Sequence, residues 1–323
     1  MLGSRDLKDT IEITDATVEC PVRDCHEKVR RQRKVFRRQE MFKCPRHHIY
    51  ISPSTFEYQD ELDNILWREP SDLELFREVK RVKRESRIAR DNSEDAVTWN
   101  VFRFLQKSKL VSGLLTNLTG TSSRDCETIY WGYSEQEDDI WSPLQRSREE
   151  FEINPTRGSE PDIIVRCADA LFFIEAKLAS GNDTRLKSKD PTVKEKYVTG
   201  GNNWYTRVFQ SDFETVAIVQ KKYELLRFWI LGSWIADTLD LDFCLVNLVL
   251  SEREKEIEPV FRPHIKENER SRFFRMTWEE IYHFILDARL STEEKDRITT
   301  YFSEKTLGYD SQGKLQRAFS IPR

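Results

Sequence analysis

The sequence has no hydrophobic run that could cross a membrane. Its most apolar stretch, residues 225–250, is interrupted by the charged side chains of Arg227, Asp237, Asp240 and Asp242. The first residues contain no apolar segment of the kind found in signal peptides. With 38% apolar and 33% charged residues, the composition also excludes collagen-like and low-complexity chains. We therefore expect a folded cytoplasmic protein, and 323 residues suit two domains or one domain with an appendage.

The chain also lacks a large net charge, because 52 basic residues nearly balance 56 acidic ones to give −4. Taken alone, this total argues against a uniformly basic nucleic-acid binder. The basic residues are concentrated, however, in two blocks. Residues 20–50 hold ten basic against three acidic side chains, and residues 77–90 hold seven against two. The first ninety residues are therefore the expected phosphate-contacting part, and the rest of the chain is acidic.

Cysteine and histidine form two short pairs near the N-terminus. Cys20 and Cys25 make a C-x4-C pair, and Cys44 and His47 make a C-x2-H pair after an eighteen-residue gap. Three thiolates and one imidazole at this spacing predict a structural Zn²⁺ site with a closed tetrahedral shell. His48 and, less favourably, His26 are alternatives for the fourth ligand. The competing interpretation is a disordered basic arm with free cysteines.

The other cysteines, Cys126, Cys167 and Cys244, are scattered along the chain. Because the sequence shows no export signal, we expect all six cysteines to be reduced thiols or metal ligands rather than disulfides. Cys244 lies in an apolar run and is expected to be a small buried residue.

Two predicted strands in the middle of the chain carry charged residues at one end. Asp162 opens the first strand, and Glu175 and Lys177 lie near the end of the second. Side chains alternate along a strand, so Glu175 and Lys177 point to one face. If the strands form a hairpin, two carboxylates meet at one rim and can bind Mg²⁺ or Mn²⁺. The cation would polarise a phosphodiester, and Lys177 would orient or activate the attacking water.

These residues resemble the PD-(D/E)XK nuclease superfamily. The pattern is Pro161-Asp162, twelve intervening residues, and then Glu175-Ala176-Lys177. The resemblance implies an α/β fold with a restriction-endonuclease-like αβββαβ core and a mixed central sheet. It also implies a metal-dependent endodeoxyribonuclease in which Asp162 and Glu175 bind Mg²⁺. The alternative is a surface hairpin with an ordinary Glu–Lys ion pair.

The resemblance covers residues 91–290, and it points to a further acidic residue on the first core helix. Such nucleases often carry one there, and Glu94 is the best match, with Asp95 second. Glu94 could instead only stabilise the start of its helix through the helix dipole. Glu160 is a further candidate ligand, although we expect it to be a loop residue.

We predict three parts along the chain: a zinc-binding basic module over residues 1–58, a helical linker over 59–90 and the nuclease-like domain over 91–323. Within the last part we expect a helix from about residue 93 to 105, strands at 128–133, 162–165, 171–176 and 243–250, a helical region at 216–236 and a final helix at 277–286. Residues 135–160 and 181–203 are predicted to be loops, the second of them a loop or lid.

The predicted function is a metal-dependent endonuclease acting on DNA, of the restriction or genome-defence type, with double-stranded DNA as the expected substrate. A homodimer or a partner from a defence complex would suit that role. One alternative is a non-catalytic nucleic-acid-binding subunit on a nuclease-like scaffold. Another is an interaction protein in which the zinc module recruits a second protein.

Overall fold

The computed structural model describes residues 2–33, 35–83, 85–187, 190–290 and 292–321, so Lys34 and Arg84 of the two basic blocks lie outside the described residues. The α-helices in chain order are α1 (Pro70–Val82), α2 (Glu94–Lys107), α3 (Val111–Thr119), α4 (Ser142–Phe151), α5 (Pro191–Val208), α6 (Tyr223–Leu239), α7 (Ile257–Phe261), α8 (Trp278–Asp287) and α9 (Thr292–Glu304). The strands are β1 (Thr17–Glu19), β2 (Lys28–Arg30), β3 (Ile49–Ile51), β4 (Phe56–Tyr58), β5 (Glu127–Tyr130), β6 (Tyr133–Ser134), β7 (Asp139–Ile140), β8 (Ile163–Arg166), β9 (Ala170–Ala176), β10 (Asp242–Val249), β11 (Ser271–Thr277), β12 (Thr306–Tyr309) and β13 (Leu315–Arg317). None of the helices in these ranges has both the length and the apolar character needed to span a bilayer.

Contacts divide the chain into two compact units. Unit 1 comprises residues 1–70, 86–108 and 278–323, and unit 2 comprises residues 71–85 and 109–277. Each unit is discontinuous in sequence, and the division into a module, a linker and a nuclease-like domain stays a prediction. The second basic block is likewise divided, with residues 77–83 in unit 2 and Arg87 and Arg90 in unit 1.

The sheet of unit 2 has seven strands in the order β11-β10-β9-β8-β5-β6-β7. β10 runs parallel to both β9 and β11, whereas β9–β8, β8–β5 and the two following pairs are antiparallel. The expectation of an α/β fold with a mixed central sheet is therefore confirmed. The finer expectation of a restriction-endonuclease-like core stays a prediction.

The apolar runs of the sequence form the centre of this sheet. Every residue of β9 after Ala170 is buried, as are all residues of β10 after Asp242, because helices cover such strands and leave no face for water. Helix α6 packs on both strands, and the Phe243 ring lies 5.7 Å from Phe173 and 5.5 Å from Trp229 between ring centroids. This packing fixes the strand ends that carry the predicted acidic residues.

Two predicted loops are wrong in part because they contain helices. Residues 135–160 include α4, which has proline at its start and buries Leu144 and Phe151 at helical spacing. Residues 181–203 include most of α5, which begins at Pro191. The preceding residue, Asp190, caps this helix because its carboxylate accepts a hydrogen bond from the Thr192 N–H at 2.9 Å. Residues 200–203 have non-helical torsions and interrupt α5.

The expectation that all cysteines are reduced or metal-bound is wrong for one pair. Cys126 precedes β5 and Cys167 follows β8, and these antiparallel strands pair Glu127 with Arg166. The register therefore places the two cysteines opposite each other, where they form a disulfide. The remaining cysteines are free and buried, as predicted for Cys244.

In unit 1 the C-terminal hairpin β12–β13 packs on the N-terminal hairpins. Tyr309 belongs to the same apolar cluster as Leu7 and Phe56, and its N–H donates to the Ser54 carbonyl at 3.0 Å. Gly308 has φ +106°, and a Cβ at this position would lie 1.8 Å from the Ser54 carbonyl oxygen. Only glycine permits this close approach of the two backbones.

Candidate functional site

The predicted zinc ligands are gathered at one point in unit 1. Cys20 follows β1, Cys25 lies in the turn before β2, and Cys44 and His47 flank the turn that leads into β3. We call these four residues the Cys₃His cluster. Their ligand atoms all lie within 4.8 Å of one another, and the three cysteines are buried.

The spacing of the Cys₃His cluster suits a tetrahedral metal ion. The His47 Nδ1 atom lies 3.6 Å from Cys20 Sγ and 3.7 Å from Cys44 Sγ, and Cys25 Sγ lies 3.8 Å from Cys44 Sγ. Tetrahedral Zn–S bonds of about 2.3 Å and a Zn–N bond of about 2.0 Å give edges of about 3.8 Å and 3.5 Å. The cluster could therefore hold a metal such as zinc. The alternative His26 side chain is 89% exposed.

The predicted hairpin in unit 2 is confirmed, and it places Asp162 beside Glu175. Strands β8 and β9 pair Ile163 with Ile174, so the residues that flank this pair, Asp162 and Glu175, lie at the same end of the hairpin. Asp162 Oδ2 accepts a hydrogen bond from the Ala176 N–H at 2.8 Å. Its Oδ1 accepts one from the Trp131 indole at 2.9 Å, so the carboxylate is held in one orientation.

Lys177 connects Glu175 to a third carboxylate. Its Nζ contacts Glu175 Oε1 and lies 2.8 Å from an oxygen of Glu224, in the first turn of α6. The side chains of Glu175 and Lys177 are less than one-tenth exposed, and that of Glu224 is 19% exposed. We call Asp162, Glu175, Lys177 and Glu224 the carboxylate site. Sequence reasoning missed Glu224, and its one signal is an acidic residue at the start of a largely apolar helix.

The charges at the carboxylate site are poorly matched. Burial raises the pKa of Glu175 well above its ordinary value, and the negative charges of Asp162 and Glu224 raise it further, against the opposing effect of Lys177. Burial alone would also raise the pKa of Glu224, but Lys177 and Arg227 outweigh it and lower that pKa. Asp162 and Glu224 both repel a negative charge on Glu175, and an added cation would relieve this repulsion.

The segment after Lys177 is bonded to the sheet and to α6. The Lys177 N–H donates to the Leu248 carbonyl at 2.7 Å, and the buried amides of Asn182 and Asn247 exchange hydrogen bonds of 2.9 and 3.1 Å. The Thr184 hydroxyl accepts a hydrogen bond from the Glu224 N–H at 2.8 Å. Asn247 pairs with Glu175 across the parallel ladder. These contacts position Glu224 and argue against a lid in this part of the segment.

The remaining acidic candidates are Glu94, Asp95 and Glu160. Glu94 begins α2 in unit 1, where the Ser93 hydroxyl accepts a hydrogen bond from the Ala96 N–H at 3.1 Å and caps the helix. Because the carboxylate site belongs to unit 2, the catalytic role of Glu94 stays a prediction. The Asp95 carboxylate accepts a hydrogen bond from the Arg87 N–H at 3.0 Å. Glu160 forms an ion pair with Lys83 at 3.7 Å, consistent with a structural role.

The two candidate sites differ in how closely their ligand atoms are gathered. The Cys₃His cluster has all four ligand atoms within 4.8 Å of one another. In the described ranges, no other group of three or more His, Cys, Asp or Glu side chains is gathered in this way. The three carboxylates are therefore more widely spread. A Mg²⁺ site does not require a tighter group, because this ion keeps several waters and uses one or two protein carboxylates. No protein-family model, curated protein or solved structure matches the chain.

Proposed function

We propose that this protein is a metal-dependent endonuclease that hydrolyses phosphodiester bonds in double-stranded DNA, of the restriction or genome-defence type. The observation that carries the proposal is the arrangement of Asp162, Glu175 and Lys177 at the adjoining ends of two antiparallel strands. The order of β5, β8, β9, α6 and β10, with β9 parallel to β10, supports a restriction-endonuclease-like core.

In the proposed reaction the protein holds a cation and positions a water molecule. Asp162 and Glu175 would bind Mg²⁺ or Mn²⁺, and when bound the cation supplies a Lewis acid for the phosphate and the leaving oxygen. Lys177 would orient the attacking water. Glu224 keeps the Lys177 ammonium beside Glu175, which makes Glu224 a positioning residue.

The Cys₃His cluster would serve as a structural zinc site. Its four protein ligands complete a tetrahedron and leave no open position for a substrate or water. We assign it the task of holding the N-terminal hairpins in place, so that exposed basic residues of the module can contact phosphates. In this proposal unit 1 binds the DNA, and the carboxylate site of unit 2 cleaves the phosphodiester bond.

One observation favours a second candidate, a non-catalytic nucleic-acid-binding subunit. Both oxygens of Asp162 already accept hydrogen bonds, from Trp131 and Ala176, and so fewer lone pairs remain for a metal. Such bonds also orient metal ligands in working sites, so cleavage has to decide between the candidates.

The proposed function is tested by plasmid cleavage with Mg²⁺ or Mn²⁺. We expect Asp162→Asn and Lys177→Met each to lower the cleavage rate by roughly a hundred-fold or more, since each removes a group that acts in the transition state. Asp169→Asn is the matched control, because Asp169 is an exposed residue at the other end of the same hairpin. Single-stranded DNA and RNA should be cleaved more slowly.

The outcomes are distinct. Cleavage that survives Asp162→Asn would contradict the assigned site. Salt-sensitive binding without cleavage of any nucleic acid would favour the binding subunit.

A further inference from the structure

A cavity of about 870 Å³ lies within unit 1. Five stretches of the chain line it: Asp15, residues 31–33 with 35–36, the β3–β4 turn, Arg90 with Asn92, and Tyr309 with the two residues that follow it. Cavities of roughly 300–1,000 Å³ are the size that holds small organic ligands in proteins. Neither the zinc ligands nor the carboxylate site accounts for this space.

The wall of the cavity is fixed by hydrogen bonds. In the β3–β4 turn, the Ser52 hydroxyl accepts from the Thr55 N–H at 3.1 Å and donates to the Thr55 carbonyl at 2.9 Å. The Tyr309 hydroxyl donates to the Lys8 carbonyl at 3.0 Å, and Glu57 accepts from Arg90 Nε at 3.3 Å. The site is therefore preorganised, which lowers the entropic cost of binding a ligand.

The wall supplies positive charge. Arg31, Arg33 and Arg90 face two acidic residues, Asp15 and Asp310. Asp310 is committed to its own turn, where its Oδ1 accepts from the N–H groups of Gln312 and Lys314. Asp15 is almost fully exposed and lies 3.2 Å from Arg33. Arg90 is paired with Glu57, whereas Arg31 and Arg33 share the single exposed carboxylate of Asp15. These two guanidinium groups suit a phosphate, which they can bind through paired N–H groups.

Beside the arginines the cavity offers a ring and an amide. Phe36 is partly buried, and the Arg90 guanidinium carbon lies 5.4 Å from the centre of its ring. The Asn92 side chain makes no hydrogen bond to any residue in the described ranges. An aromatic ring can stack on a nucleobase, and an asparagine amide can donate to and accept from the edge of a base.

We propose that this cavity binds one nucleotide unit, with its phosphate at Arg31 and Arg33, its base against Phe36 and the edge of the base at Asn92. Inside a duplex the faces of a base are covered by its neighbours and its edge by its pairing partner, so a base that lies on Phe36 and meets Asn92 is unpaired or turned out of the stack. The inference rests on the proposed function only for the identity of the polymer. The nucleotide itself is specified by the wall of the cavity.

The test measures binding of the full chain to fluorescent oligonucleotides by anisotropy, in Ca²⁺ without Mg²⁺. The two probes are a matched duplex and the same duplex with one unpaired nucleotide. We expect the wild type to prefer the second probe by at least ten-fold. Phe36→Ala and Asn92→Ala should reduce that preference to within two-fold, since they remove the stacking surface and the base-edge contact.

Arg33→Ala and Arg37→Ala form the matched pair of controls. Both residues are exposed arginines of the same segment, but only Arg33 lines the cavity. Arg33→Ala should reduce the preference, whereas Arg37→Ala should weaken both probes by the same factor. Unchanged metal content and circular dichroism would show that each variant folds.

Competition by millimolar deoxynucleoside monophosphates identifies the source of the nucleotide. Competition together with a preference for the unpaired probe supports a nucleotide of the nucleic acid, and competition without that preference supports a free nucleotide. A wild type with neither effect, or a preference that survives both Phe36→Ala and Asn92→Ala, overturns the proposal.

Plasmid cleavage in Mg²⁺ is measured in parallel. Wild-type protein that shows the preference without cleaving refutes the nuclease proposal alone, and cleavage without preference or competition refutes the cavity proposal alone.

Discussion

Ionisation of the buried Glu175 side chain opposes folding. Because burial raises its pKa in the folded state, the folded protein holds the Glu175 proton more tightly than the unfolded chain does. The stability that this proton contributes is present below the ordinary pKa of glutamate and is lost as pH rises through the raised value. Ionised Glu175 can bind a cation, but its negative charge lowers the stability of the folded protein.

Glu175→Gln should accordingly be more stable than the wild type, by an amount that grows with pH. We expect a gain of roughly 1–3 kcal/mol in the free energy of unfolding at pH 9 and a smaller one at pH 5, because the amide has no charge to desolvate. Urea denaturation at both pH values measures it. Glu214→Gln, at an exposed position, should show no such growth. A gain that shrinks as pH rises would contradict the raised pKa.

Cys44 should be required for metal binding and for the fold of the N-terminal module. We expect Cys44→Ser to lower the bound zinc from about one ion per chain to near zero, because three ligands hold zinc far less tightly than four. Elemental analysis of the purified protein provides the measurement. Cys244→Ser, which changes another buried free cysteine, should keep the metal. Full zinc in Cys44→Ser would exclude Cys44 as a ligand.

At the scale of elements, apolar runs made β8, β9, β10 and α8 predictable to within a few residues. Helices α4 and α5 were not predictable, because charged and glycine residues obscure the spacing of their few buried side chains. Contacts between elements could not be predicted from the sequence either. The Lys177–Glu224 pair depends on how α6 lies on the sheet, and the Cys126–Cys167 disulfide depends on the register of β5 and β8.

The contact between the C-terminal and N-terminal hairpins makes Gly308 a sensitive position. Gly308→Ala should lower the free energy of unfolding by roughly 2–4 kcal/mol, because the new Cβ meets the Ser54 carbonyl oxygen in addition to the cost of positive φ. Gly120→Ala isolates that second cost. Gly120 has φ +73° with nothing within 4 Å, so we expect roughly 1 kcal/mol. Equal losses in the two variants, measured by denaturation, would contradict the close contact.

For the whole molecule, the net charge of −4 conceals how few basic residues of the first block are both exposed and free of an acidic partner. In the first block, Lys28, Arg31, Arg33, Arg38 and Lys43 each form an ion pair. Within the described ranges, the basic residues of this block that are exposed and form no ion pair are Arg23, Arg30, Arg37 and Arg46. Charge counted along the sequence therefore overstates the positive surface.

We expect the affinity of the protein for duplex DNA to fall as the salt concentration rises, with the steepness that about four phosphate contacts produce. The slope of log affinity against log salt should be roughly −3.6, which is about a 150-fold loss between 50 and 200 mM salt. Anisotropy titrations in Ca²⁺ measure it. Replacing both Arg30 and Arg46 with glutamine should reduce the slope by about two. An unchanged slope in that variant would show that Arg30 and Arg46 do not contact phosphates.

Unit 1 contains residues from both ends of the described chain, and this affects how it folds during synthesis. Residues 278–323 leave the ribosome after all of unit 2, so the N-terminal hairpins wait for the strand that carries Gly308 and Tyr309. The ligands of the Cys₃His cluster all lie between residues 20 and 47 and need no later segment. A metal bound there would hold the nascent module closed during the delay. Zinc-starved cells should therefore lose newly made chains to proteolysis sooner than chains completed before the starvation.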